Sequence, residues 1–182
     1  KLAKGIVKRE VVRIITPGTV IDEISLEAGE NNYLLSISRD RERYILSYLD
    51  LSTGEGYITN IPIDENLLFA EIIKLKAKEI VIEDSFNESI FADLKKIISL
   101  TISYENHSEV PSYFKPLMMN LDKEEEKNYS RLLNYITKTQ MRTLVHLQKV
   151  EKYDINSYLK IDFSSQRNLE LLETLRFQNK KN

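Results

Sequence analysis

Apolar and polar positions change period several times along the chain, and each period predicts a different element. Ile6 to Ile15 is rich in β-branched residues, partly alternating and free of Gly and Pro, which predicts a strand. The strand ends at Thr16-Pro17-Gly18-Thr19. There proline presets φ for a turn and glycine admits a positive φ beside it, so a specific chain reversal is expected. Asp22 to Asn32 is acidic and turn-prone, and reads as a linker with a new domain after it.

Three apolar runs follow in close order, Tyr33 to Ser38, Tyr44 to Leu49 and Gly56 to Ile61, with short polar separators that predict hairpins. After Pro62 the period becomes helical: Leu67, Leu68, Ala70, Ile72, Ile73 and Leu75 recur behind Asp64, a good N-cap. Glu79 to Glu83 then predicts a strand, Glu88 to Ile98 a helix and Leu100 to Tyr104 another strand. Strands joined by tight turns run antiparallel, whereas strands joined through a helix run parallel. The order βββαβαβ therefore predicts an α/β fold built on a mixed five-stranded sheet, the arrangement of ribonuclease H-like domains. Glu105 to Asn120 contains Pro111 and Pro116 and reads as irregular. From Leu121 an α-helical segment is expected, with Leu132, Leu133, Ile136 and Thr137 at core spacing. Tyr153 to Lys160 is extended in flavour, and Asp162 or Ser164 caps a last helix through Leu169, Leu171, Leu172 and Leu175.

Composition narrows the chemistry. The 182 residues are 42% hydrophobic and 30% charged, as in an ordinary globular protein rather than a disordered one. No stretch approaches the roughly 18 continuous apolar residues that a membrane span requires, and the first residue is Lys, without the apolar run of a secretory signal. The expectation is an internal piece of a longer protein. Cysteine is absent, which excludes disulfides and thiolate zinc sites. The net charge of -2 is unlike that of a domain that grips phosphates unaided.

Few residues have the chemistry of a reactive site. A ribonuclease H-like nuclease clusters carboxylates around two Mg²⁺ ions about 4 Å apart, and the acids available are Asp40, Asp50, Glu83 and Asp84. Asp40 and Asp50 follow apolar runs, and Tyr33 to Ser38 carries no acid, so turn formation is the favoured account. Asp50-Leu51-Ser52-Thr53-Gly54-Glu55 has the glycine and hydroxyls of a phosphate loop but no helix after it. It reads as a hairpin in which Asp50 and Ser52 bond nearby backbone and Gly54 takes positive φ. Lys1, Lys4, Lys8, Arg9 and Arg13 make the opening locally basic, with Arg9, Val11 and Arg13 on one strand face. Contact with a DNA backbone is one reading, and a solvated outer face the favoured one. His146 is read as a capping or packed residue, His107 has no triad partners in sequence, and Tyr33, Tyr44, Tyr48 and Tyr57 are expected to pack the sheet.

Several segments together carry a family resemblance. They are Val7 to Thr19, Asn31-Asn32-Tyr33-Leu34, Leu49 to Glu55, Leu133-Asn134-Tyr135-Ile136 with Thr139-Gln140, and Tyr158 to Asp162 leading to Arg167-Asn168-Leu169-Glu170-Leu171. In this order and spacing the chain resembles the MutS family of bacterial mismatch-repair proteins. The resemblance implies that residues 1–20 hold the last strand of a mismatch-binding domain, 21–30 a linker, 31–120 a ribonuclease H-like connector and 121–182 the start of a helical core. Thr16, Pro17, Gly18 and Thr19 then form the interdomain turn. It further implies a non-catalytic connector with no cofactor or metal of its own. The intact protein would be a homodimeric, DNA-dependent ATPase of the bacterial cytoplasm that uses ATP and Mg, binds mismatched double-stranded DNA, docks MutL and has no membrane association. The family's Phe-x-Glu wedge lies upstream of Lys1 and its Walker A loop far downstream. A stand-alone Mg-dependent nuclease using Asp50 with Glu83 or Asp84 is the alternative, and an interaction module unrelated to repair is a further one.

Overall fold

The computed structural model describes residues 14–19, 32–140 and 146–155. The expected strand from Ile6, the basic opening, the linker and the final helix lie outside these residues apart from their edges. The first three strands are β1 (Tyr33–Arg39), β2 (Arg43–Asp50) and β3 (Gly56–Pro62), followed by α1 (Glu65–Lys74) and β4 (Glu79–Ile82). After β4 come β5 (Thr101–Tyr104), α2 (Lys123–Gln140) and β6 (Glu151–Lys152). The sheet runs β5-β4-β1-β2-β3-β6. The three-stranded meander is antiparallel, with Tyr33 opposite Asp50 and Tyr48 opposite Tyr57, while β4 lies parallel to β1 and β5 parallel to β4.

The ribonuclease H-like order expected from sequence is present as β1 to β5, and β6 adds a sixth strand. It pairs for two residues, Glu151 with Tyr57 and Lys152 with Ile58, just before the stretch Tyr153 to Lys160 that sequence marked as extended. Such a short strand carries too little alternation to stand out by pattern.

Both faces of the sheet are buried, which is why β1 and β2 read as nearly unbroken apolar runs. On one face Leu35, Ile37, Tyr44, Leu46, Ile61 and Ile80 pack beneath α1 through Leu68, Phe69 and Ile72. On the other, Leu34, Ile45, Leu49, Ile58 and Val81 pack beneath α2 through Tyr129, Leu132, Leu133 and Ile136. Each fully buried Leu, Ile or Phe contributes roughly 1.5–3 kcal/mol relative to exposure. The first helix beyond the boundary read at residue 120 therefore shares a core with the sheet before it. Small polar residues also lie under α2: Ser47 Oγ donates to Asn128 Oδ1 at 2.6 Å, and Asn128 Nδ2 donates to Ser38 Oγ at 2.9 Å.

Helix starts follow the sequence closely. Asp64 Oδ1 accepts from the backbone N–H of Asn66 at 2.8 Å, capping α1 as expected. At α2 the caps are reciprocal: Asp122 Oδ1 accepts from Glu125 N–H at 3.0 Å, and Glu125 Oε2 accepts from Asp122 N–H at 2.8 Å. The expected helix over Glu88 to Ile98 is instead two short 3₁₀ helices, Glu88–Phe91 and Leu94–Lys96. In 3₁₀ winding, residues three apart share one face. Phe91, Leu94 and Ile97 thereby all turn toward the sheet, where Phe91 and Leu94 are fully buried. A third 3₁₀ helix, Ser112–Met118, interrupts the stretch expected to be irregular and buries Phe114 and Met118 beside α2.

Candidate functional site

The turn singled out in sequence is bound tightly to the sheet and to the end of α2. Thr19 N–H donates to Thr16 O at 3.0 Å and Thr16 N–H donates to Thr19 Oγ1 at 3.0 Å, closing the turn on itself. Its outward groups are then taken by Asn32, before β1, and by the end of α2. Asn32 Nδ2 donates to Pro17 O at 3.0 Å, Gln140 Nε2 to Thr19 O at 3.1 Å, and Ile14 N–H to Thr139 O at 2.8 Å.

The central contact is made by Glu79, the first residue of β4, which is fully buried. Its Oε2 accepts from Gly18 N–H at 2.7 Å. Its Oε1 accepts from Ser103 Oγ of β5 at 2.6 Å and from Tyr135 Oη of α2 at 2.5 Å. Among the described residues no Lys or Arg pairs with this carboxylate, so neutral donors alone meet its charge. Hydrogen bonds to a charged acceptor are about twice as strong as neutral ones, and they offset the desolvation that burial imposes. Tyr135 registers the arrangement: burial, then the adjacent Glu79 carboxylate, push its hydroxyl up to about 12.

The glycine in the turn serves a different purpose from the one expected. Among the described residues only Gly54 and Lys76 have positive φ, so Gly18 does not supply left-handed backbone. It supplies closeness: a Cβ there would lie 2.5 Å from Leu34 Cδ1 and 3.0 Å from Glu79 Oε2, and Leu34 is fully buried. A side chain there would force Leu34 or the turn itself to shift.

The acids considered for metal chemistry do not assemble. Asp50 Oδ1 accepts from Ser52 N–H at 2.8 Å and Gly54 has φ +77°, as the expected hairpin requires, while the Ser52 hydroxyl donates to the Asp50 carboxylate at 2.5 Å rather than bonding backbone. Asp40 Oδ1 accepts from Glu42 and Arg43 N–H at 2.8 and 2.9 Å, so it too shapes a turn. Glu83 pairs with Arg131 at 3.1 Å, and Asp84 accepts from Asn106 Nδ2 at 2.7 Å. Tyr33 is level with Asp50, and Leu34 with Glu79. Asp50 and Glu83 therefore lie at opposite ends of the sheet, roughly 15 Å apart along the strands. That is several times the spacing two metal ions require.

The histidines are structural in their contacts. His146 Nε2 lies 2.9 Å from Leu51 O, and His107 Nδ1 lies 2.9 Å from Glu105 Oε1. Tyr33, Tyr48 and Tyr57 form a row across β1 to β3, with centroids 4.9 and 5.0 Å apart, and Tyr44 is buried.

Sequence reasoning named the turn but not Glu79, Ser103, Asn32, Tyr135 or Gln140 as its receptors. One signal was available: Glu79 opens an otherwise wholly apolar buried strand, Glu-Ile-Val-Ile, where an acid needs donors.

A meander followed by parallel strands, helices on both faces and scattered carboxylates define a ribonuclease H-like domain whose acids serve turns and ion pairs. Residues 32–148 match the family model described as MutS domain II, and the chain belongs to that family. It is 44% identical over 177 residues to the DNA mismatch repair protein MutS of Oceanobacillus iheyensis, which covers 96% of this chain and 20% of that protein. It is 43% identical over 183 residues to the MutS of a Geobacillus species, covering 100% of this chain and 21% of that protein. The MutS of Bacillus velezensis is likewise 43% identical, over 181 residues. The chain thus spans about a fifth of the length of these relatives. No helix among the described residues is long and apolar enough to cross a membrane.

Proposed function

We propose that this chain is the non-catalytic connector of a bacterial mismatch-repair protein, joining a mismatch-binding domain to an ATPase and docking MutL. The observation that carries the reading is the Gly18–Glu79 contact within a domain of this family. A connector must turn motion of one neighbour into motion of the other, and a turn held at Pro17, Gly18 and Thr19 is a fixed joint rather than a loose tether. In the intact protein the partners are mismatched double-stranded DNA, MutL and a second copy of the chain in the cytoplasm. ATP and Mg are held by parts that lie outside this chain. The nuclease alternative loses its support in the separation of Asp50 from Glu83.

Calorimetric titration of the chain with its cognate MutL, beside a blank titration with Mg²⁺, tests the proposal. Saturable heat with MutL and none with Mg²⁺ supports a connector. Saturable Mg²⁺ heat that Asp50→Asn abolishes, with no MutL heat, overturns it in favour of a nuclease.

A further inference from the structure

Two parallel neighbours in this sheet send their chains in opposite directions. From the end of β1 the chain turns away to β2, and from the end of β4 it turns the other way toward β5. In open α/β sheets such divergence leaves a crevice outside the carboxyl ends of the strands, where ligands characteristically bind. Here that crevice is a cleft of about 330 Å³, within the size range of ligand sites.

Its floor and its rim differ in chemistry. Tyr44, Phe86 and Ile90 form an apolar base, stiffened by the stacking of Phe86 on Phe91 with centroids 5.8 Å apart. The lip from the β1–β2 hairpin is cationic. Arg39 lies with its guanidinium carbon 5.5 Å from the centre of the Tyr44 ring, and Arg41 stands beyond it at the exposed hairpin tip. Neither arginine has a carboxylate partner among the described residues, because Asp40 is taken by Arg43 and Glu42 makes no ion pair. On the opposite side Glu83 lines the cleft but is already paired with Arg131 at 3.1 Å, and the negative charge of that lip comes from Asp84 and Glu88, exposed beside it.

We propose that this cleft docks an extended segment of a protein partner with one or more acidic residues on one side of a large apolar side chain and a basic residue on the other. The apolar side chain fills the floor, the acids take the Arg39 and Arg41 guanidiniums, and the basic residue faces Asp84 and Glu88, which have no ion pair among the described residues. The two-signed rim decides the class of partner. A nucleic-acid strand would carry its phosphates past the three carboxylates, whereas a peptide can match both lips. The cleft lies on the α1 side of the sheet, and the inference stands apart from the connector reading.

The test is a titration of the isotopically labelled chain, followed by amide correlation spectra. The probe is a blocked tetrapeptide of two glutamates, phenylalanine and lysine, used in that order and in the reverse order. The expected result is saturable shifts confined to amides of residues 39–44 and 83–90. Arg39→Ala, an exposed position, should weaken binding about tenfold, the loss of one charge-assisted contact. Replacing the probe's phenylalanine with alanine should abolish the shifts. Absence of saturable shifts, unaltered affinity in Arg39→Ala, or saturation of the same amides by an oligothymidylate each overturns the proposal. MutL takes no part, so this outcome and that of the calorimetric experiment are independent.

Discussion

Gly18 donates its backbone N–H to the Glu79 carboxylate at 2.7 Å across 61 residues of sequence, and Leu34 closes the space in which a Cβ would have to sit. Closeness and charge act together here. Gly18→Ala is expected to push the turn off the sheet at a cost of about 1–3 kcal/mol, as overpacking of a filled site does. Hydrogen exchange checks it. The Ile14 and residue-18 amides should exchange faster while β1 and β2 stay protected, because only the docked contact is lost.

Glu79→Gln keeps the shape but turns one acceptor oxygen into a donor, which must then face either Gly18 N–H or the two hydroxyls. A loss of about 1–3 kcal/mol in urea unfolding is expected, the cost of leaving a buried donor unsatisfied. An ultraviolet titration gives a second readout. With the negative charge removed, Tyr135 should titrate below its present value of about 12.

Gly56, the first residue of β3, shows the same logic. A Cβ at that position would lie 2.1 Å from Tyr129 Oη, which is buried and has no hydrogen-bond partner among the described residues. Gly56→Ala should destabilise the fold, by about 1–3 kcal/mol, whereas Tyr129→Phe should be nearly neutral since no bond is lost. The double variant should recover part of the Gly56→Ala loss, a coupling that a double-mutant cycle in urea measures.

Acid should weaken the domain through three carboxyls. Burial pushes Glu125 up, but hydrogen bonds from Lys152, the Asp122 backbone and Asn60 together hold it below its ordinary 4.5. Glu105 is likewise raised by burial and lowered further by Lys138 and His107. Asp122 lies below 3.8, with burial opposed by the Glu125 backbone and Arg43. A folded value below the unfolded one means stability that is full above the unfolded value and lost as pH falls through the folded one. Unfolding midpoints should therefore hold steady from neutral pH and fall below pH 4.5, and Glu125→Gln should flatten that fall. At the alkaline end the sign reverses. Tyr135 is raised from 10.0 to about 12, so its contribution is full below pH 10 and declines between those values.

The parts of the fold visible in sequence were those with long, regular periods. The meander, the Asp64 cap and the Asp50–Gly54 hairpin rest on local chemistry and could be read from neighbouring residues. The Glu88–Ile98 stretch could not, since Phe91 and Leu94 fit a 3.6 period as well as a 3.0 period and the sheet selects the tighter one. Nor could the partners of the turn. Thr16–Thr19, Asn32 and Tyr135 to Gln140 each belong to a segment that carried the family resemblance, and the contacts at Glu79, Pro17 and Thr19 gather all three at one corner. Their pairing is set by the sheet order, which no single segment specifies.

That corner also determines how the domain bears force. The chain coming in through Ile14 is hydrogen-bonded to the end of α2 at Thr139, the last full turn of the domain's long helix. A pull between the incoming chain and the end of α2 would load a handful of hydrogen bonds at Ile14, Pro17, Gly18 and Thr19 and leave the strand ladders slack. Such a load would open that corner first, while the paired strands kept their register.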